Sequence, residues 1–232
     1  MSYSTGQGMG EYCVDIVMCI DATGSMAPIL DEVKRNALSL YSLFIDGMEM
    51  ENKAVDALRV KVIAFRDYIC DTEPMVESKF FVLPNESARL KAFLDKIEAI
   101  GGGDTPECAF EAISIALKSD WTTEGSKRRH VIAVFTDAPA LPLQERAGCQ
   151  NYPRSIPKTM SEFSSWWEGT SQEFSGTYQK RAGRLIAFVP NDETWTQLES
   201  WNRFVPAYTG GRGCSELDMT TIIDTIVGSF DQ

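Results

Sequence analysis

Apolar positions along the chain fall into two rhythms, short unbroken runs and runs spaced by three or four residues. The first run, Cys13 to Ile20, is almost wholly apolar and of strand length, as in a strand buried on both faces. It stops at the turn-forming string Asp21-Ala-Thr-Gly-Ser25, after which Ile29, Val33, Ala37, Leu40, Tyr41 and Phe44 predict one amphipathic helix of about 18 residues. Leu58–Phe65 reads as a second strand and Met75–Leu83 as a weaker edge strand before Pro84. A helix opens at Ser87, runs through Leu90, Phe93, Leu94 and Ile97, and closes at Gly101-Gly-Gly103. Pro106 is expected in the first turn of the next helix, which continues from Ala109 to Leu117. Val131–Phe135, Leu185–Val189 and Phe204–Ala207 read as strands, and Lys158–Trp167, Thr194–Trp201 and Leu217–Phe230 as helices, with a long loop over Leu141–Pro157. Strands alternate with helices almost throughout. The expected fold is therefore α/β: a doubly wound, mostly parallel six-stranded sheet with helices on both faces and one antiparallel edge strand.

Composition narrows the function classes. The 232 residues carry 22 Lys and Arg against 33 Asp and Glu, a net charge of −11, which argues against a nucleic-acid partner. The length suits a single domain, expected over residues 11–232 behind a flexible N-terminus at residues 1–10. No apolar run reaches the roughly 18 residues of a membrane span. The first ten residues carry neither a basic patch nor an apolar signal core, so a cytoplasmic location is expected, with the six scattered cysteines as reduced thiols. A single histidine, His130, rules out multi-histidine metal sites.

Three loops hold the candidate chemistry, each at a strand end or a helix start, where doubly wound sheets bind ligands. They are Asp21-Ala-Thr23-Gly-Ser25, Gly102-Gly-Asp104-Thr105-Pro-Glu107 and Thr136-Asp137. All three offer hard oxygen donors, which suit Mg²⁺, Mn²⁺ or Ca²⁺ over zinc.

Asp-x-Thr-x-Ser after an apolar strand, with Thr136-Asp137 ending a later one, resembles the metal-ion-dependent adhesion site of the von Willebrand factor A (VWA) domain. That resemblance implies a Rossmann-like VWA fold over roughly residues 14–230. It implies direct ligation by Thr23 and Ser25, with Asp21 and Asp137 acting directly or through waters and Thr105 as the second-loop threonine. It also implies a Mg²⁺ or Mn²⁺ ion with one open seat, filled by an acidic side chain of a protein partner. The Gly101–Glu107 loop resembles that of integrin beta-subunit domains, which implies a second cation site built from Asp67, Asp104 and Glu107, with Ca²⁺ as its alternative ion. Phe65-Arg-Asp-Tyr68, the second loop and Thr136-Asp-Ala-Pro139 together resemble intracellular VWA modules found with alpha-kinases and stand-alone bacterial proteins of the tellurite-resistance type. Those imply a kinase- or phosphatase-associated scaffold.

Plainer readings stand beside these. Ser25 suits a helix N-cap, and Asp104 with Glu107 suits a capping box. Arg66 and Asp67 read as a local ion pair, and His130 as part of a solvated strand entrance after Lys127-Arg-Arg129. Phe163, Trp166 and Trp167 read as packing, and Cys108, beside the second loop, as the thiol open to oxidation. The leading function is non-catalytic interaction. The alternatives are a Mg²⁺-dependent phosphohydrolase with Asp21 as nucleophile, and a metal-free VWA scaffold.

Overall fold

Strand β1, Tyr12–Asp21, is buried at all ten positions, as an unbroken apolar run at the centre of a parallel sheet must be. The computed structural model describes residues 11–102, 105–210 and 213–231. The expected flexible segment at residues 1–10 lies outside them. Around β1 the sheet adds β2 (Val55–Phe65), β3 (Met75–Glu77), β4 (Phe81–Leu83), β5 (Lys127–Phe135), β6 (Gly183–Pro190) and β7 (Phe204–Thr209). Its order is β3-β2-β1-β5-β6-β7, with β4 also paired to β2. All pairings are parallel except those of β3 and β4 with β2. The antiparallel edge is thus drawn as two short segments.

Successive side chains of β1 point to opposite faces, so one strand feeds two cores. Val14, Ile16, Met18 and Ile20 pack beneath α1 (Ala27–Asn36), α2 (Leu40–Met50), α3 (Ser87–Leu94) and α7 (Met219–Gly228). Val17 and Cys19 pack beneath α4 (Ala109–Leu117), α5 (Met160–Trp167) and α6 (Glu193–Thr196). Phe163, Trp166 and Trp167 are buried in this second core, as the packing reading expects. A smaller apolar cluster, including Tyr68, Cys108 and Tyr152, lies under the 141–157 loop.

The chain leaves β1 toward β2 on one side and β5 on the other, which makes its end a topological switch point. The register levels three strand ends, with Ile20 beside Phe135 and Asp21 beside Phe65. The loops that follow therefore start at one height, and that is how residues more than a hundred positions apart come together.

Several local expectations need correction. The single long helix is two, α1 and α2, separated by a turn at 37–39. Asn36 turns its amide onto the Glu32 carbonyl and carboxylate, and the Ser39 hydroxyl bonds the Asn36 carbonyl. Such side chains compete with the helix ladder. Pro106 does not sit in a helical turn, because α4 begins at Ala109. Glu107 therefore cannot complete a capping box at α4. Ser25 is no N-cap, since it lies inside the 3-10 turn Gly24–Met26 that leads into α1. His130 is fully buried, not solvated, with its ring stacked on Trp121 at 5.0 Å between centroids.

Candidate metal-binding site

Asp21 ends β1 with no exposure, and both of its oxygens are engaged. Oδ1 accepts from the Thr23 backbone N–H at 2.9 Å and Oδ2 from the Thr136 hydroxyl at 2.7 Å. This ties the first loop to the end of β5. Burial raises the Asp21 pKa, the hydroxyl and amide donors offset part of that, and the nearby Asp137 adds to it.

The turn then aims two hydroxyls across the sheet edge. Thr23 Oγ1 and Ser25 Oγ lie 3.4 Å apart, and Ser25 Oγ donates to Asp137 Oδ1 at 3.1 Å. Thr23 is buried whereas Ser25 is exposed, so the oxygens step from the interior to the rim. Four sequence-nominated residues, Asp21, Thr23, Ser25 and Asp137, thus form one connected group.

The second loop closes over them. The Gly24 N–H donates to the Gly101 carbonyl at 3.4 Å and the Ile100 N–H to the Ala22 carbonyl at 3.1 Å. Gly102 takes a φ of +77°, and a Cβ there would stand 2.8 Å from Thr23 Cβ and 3.7 Å from Glu107 Oε1. Glycine is needed for both the backbone and the space. Gly102 thus lies against both Thr23 and Glu107, the latter 2% exposed. The Glu107 backbone exchanges hydrogen bonds with Pro139 and Leu141 at 3.0 and 2.8 Å, joining the second loop to the third. Thr105 is exposed and, among the described residues, makes no hydrogen bond to the group, and Asp104 lies outside the described residues.

The expected Arg66–Asp67 ion pair is not formed. Arg66 instead donates to the carbonyls of Ala22, Ile100, Glu73 and Glu98 at 2.6–3.1 Å, binding the first two loops from beneath. Asp67 is clamped by Arg146, whose Nε and Nη2 reach its carboxylate at 2.5–3.0 Å. Cys108 is fully buried and its thiol pKa is pushed up, chiefly by burial, so it is not open to oxidation.

Sequence reasoning did not nominate Thr136, Arg66 or Arg146 for these roles. Thr136 was signalled by its place directly before Asp137. Arg146 carried no local signal, being 79 residues from its partner. Among the described residues no group of three or more His, Cys, Asp and Glu side chains gathers as a metal cluster. The arrangement here is of another kind, with hydroxyls in the middle and carboxylates behind them.

A family model, the von Willebrand factor A domain, matches residues 15–148. An alpha-protein kinase, vwkA of Dictyostelium discoideum, is 22% identical over 145 residues, which are 62% of this chain and 21% of that protein. A putative ariadne-like RING finger protein, R811 of Acanthamoeba polyphaga mimivirus, is 26% identical over 143 residues, 62% of this chain and 12% of that protein. The chain thus spans about a fifth or less of these relatives. The pilus adhesin SpaC of Lactobacillus rhamnosus GG superposes with a TM-score of 0.53 at 11% identity, covering 96% of this chain and 31% of that one. A von Willebrand factor type A structure from Catenulispora acidiphila gives 0.51 at 11% identity, covering 92% and 42%. At such identities the likeness is one of fold.

Proposed function

The chain belongs to the von Willebrand factor A domain family, and from that premise we propose that it is a non-catalytic, divalent-cation-dependent protein-interaction module. Thr23 and Ser25 would hold a Mg²⁺ or Mn²⁺ ion, with Asp137 and Asp21 orienting the hydroxyls and supplying negative charge. The observation that carries this reading is the spacing of the oxygens. Octahedral ligands at about 2.1 Å from Mg²⁺ stand about 3 Å from their neighbours. Thr23 Oγ1, Ser25 Oγ and Asp137 Oδ1 are spaced at 3.4 and 3.1 Å. Hydroxyls are neutral donors, so a cation held by them keeps most of its charge for a carboxylate supplied by a partner. Bound there, the ion would supply electrostatic attraction for that carboxylate. The likeness to part of an alpha-protein kinase supports, as a proposal, a kinase-associated and cytoplasmic setting.

A phosphohydrolase would need Asp21 to face its substrate. Its full burial and two engaged oxygens favour a holding role instead.

The test is a Mg²⁺ and Mn²⁺ titration followed by calorimetry and melting, on the wild type and on Thr23→Ala/Ser25→Ala. One equivalent should bind the wild type and, at a hundredfold excess over Kd, stabilise it by about 2.7 kcal/mol, or several degrees of Tm. The variant should fold alike without metal and gain nothing from it. Equal binding by both proteins would refute the site. A partner screen with and without chelator follows.

A further inference from the structure

On the face of β2 that looks toward α4, Ile63 and Phe65 join the second core, whereas Arg59 and Lys61 at the preceding positions line an open cleft. The opposite face is apolar at Leu58, Val60 and Val62 and is buried in the first core. Three cavities of about 420, 650 and 310 Å³ follow one another along this edge. The first two share Arg59 and Asp120, and the last two share Lys61 and Glu77.

Cations converge on the second and third cavities from separate parts of the fold. Arg59 and Lys61 come from β2, Lys79 from the link between β3 and β4, Lys118 from the end of α4, and Arg154 from the 141–157 loop. Against these five cations the two cavities hold two carboxylates, Glu77 and Asp120, in a chain of net charge −11. The floor is rigid. Arg59 holds Asp15 with two nitrogens at 2.7 and 2.6 Å and lies 4.5 Å over the Phe80 ring, while Lys61 Nζ meets Glu77 at 2.8 Å. Lys79 and Arg154 stand exposed above that floor. Ile115 and Ile156 add apolar wall beside the cations.

We propose that this cleft docks an extended, acidic polypeptide segment of a partner protein, at a place separate from the hydroxyl–aspartate loops. Arg59 and Lys61 are alternate residues of one strand, so they are spaced by roughly 7 Å, the repeat of same-face side chains in an extended peptide. Carboxylates of the segment would meet Lys79, Lys118 and Arg154, which form no ion pair among the described residues, while its backbone follows the β2 repeat and its apolar residues meet Phe80 and the isoleucines. The first cavity is lined by Asp15, Asp56, Asp120 and Glu124, which would repel any polyanion, so the segment lies in the second and third cavities alone. There Phe80, Ile115 and Ile156 offer apolar contacts that side chains between the carboxylates can fill and a phosphate backbone cannot, which chooses a peptide over a nucleic acid.

The experiment uses fluorescence anisotropy in EDTA with a labelled peptide of about ten residues alternating Glu and Val. Its Gln-for-Glu counterpart and an oligothymidylate are run beside it. The Glu peptide should bind saturably and weaken about tenfold or more between low and physiological salt. Lys79→Glu/Arg154→Glu, both at exposed positions, should weaken it about tenfold with an unchanged melting curve. Thr23→Ala/Ser25→Ala should bind as the wild type does, which separates this cleft from the metal reading. Failure of the Glu peptide to bind, equal binding of the Gln peptide, or unchanged affinity in the charge-reversed protein each overturns the proposal. So does loss of binding in the Thr23/Ser25 variant. Tighter binding of oligothymidylate overturns it too, in favour of a nucleic-acid cleft.

Discussion

Two aspartates stand at neighbouring strand ends and meet opposite fates. Asp21 ends β1, and Asp67 follows by two residues the Phe65 that pairs with Asp21 in the sheet register. Both are fully buried. Asp21 receives only neutral donors, the Thr23 amide and the Thr136 hydroxyl. Burial therefore prevails and its pKa is raised. Asp67 is also pushed up by burial, but the hydrogen bonds and charge of Arg146, with the Ile69 N–H, outweigh that and hold it below the usual range. Among the described residues no cation of the chain pairs with Asp21 at the end of β1, whereas at the end of β2 the chain supplies Arg146 to Asp67. The second cation site, for which Asp67 was nominated, accordingly has one of its three carboxylates already occupied by a guanidinium.

The sharpest way to break the comparison is to remove that guanidinium. Arg146→Met leaves Asp67 as an uncompensated buried charge and should cost about 3–5 kcal/mol in urea unfolding. Asp67→Asn in the same protein keeps the acceptor for the Ile69 N–H and should recover more than half of the loss. A single Arg146→Met with near wild-type stability would mean that Asp67 is not held as a charge.

A third buried carboxyl extends the contrast to a place where pH alone can test it. Glu111 on α4 has no exposure, and its partner is again neutral, the Tyr152 hydroxyl donating to Oε1 at 2.6 Å. Its pKa is pushed up by burial to about 7. A carboxyl raised in the fold binds more protons folded than unfolded, so its contribution is full below the ordinary range and is lost as pH climbs toward 7. The loss is on the order of 3 kcal/mol. His130 runs the other way. Burial lowers it to about 4, so its contribution is lost as pH falls from 6.5 toward 4. Across the shared window the two slopes oppose each other and the wild-type profile should be nearly flat. Glu111→Gln should uncover the histidine slope, gaining on the wild type by on the order of 2 kcal/mol between pH 5 and 7 in denaturant unfolding. Parallel profiles for the two proteins would show that Glu111 is charged in the fold.

What was legible in the sequence follows the same division between local and distant causes. β1 and the Val131–Phe135 part of β5 are unbroken buried runs, and any such run announces a central strand. Asp21, Thr23 and Ser25 sit within five residues of one another, and Asp137 directly follows a strand, so their gathering needed only the fold class. The break between α1 and α2 was not legible, because the apolar spacing runs through it and polar side chains at Asn36 and Ser39 interrupt it without a Gly or Pro. Arg146 was invisible for another reason. Its partner is 79 residues away, and nothing local distinguishes it from a solvated loop arginine. His130 misled because its neighbours Lys127, Arg128 and Arg129 are basic, while the strand carries its own ring inward against Trp121.

The smallest expected effect on stability is the most telling for the first aspartate's surroundings. Asp137 is half-buried and bonds the exposed Ser25, so Asp137→Asn removes a charge without stranding one in the interior. Its unfolding free energy should stay within about 1 kcal/mol of wild type. Its Mg²⁺ affinity should fall about 10–100-fold, the usual cost of losing a carboxylate that orients a metal's ligands. The Asp67→Asn/Arg146→Met protein should show the reverse, a change in stability with Mg²⁺ affinity kept within about threefold. If both variants lost metal equally, the two strand ends would belong to one electrostatic site and the arginine would be part of it. If only Asp137→Asn does, the ends of β1 and β5 hold the cation and the end of β2 holds the loop.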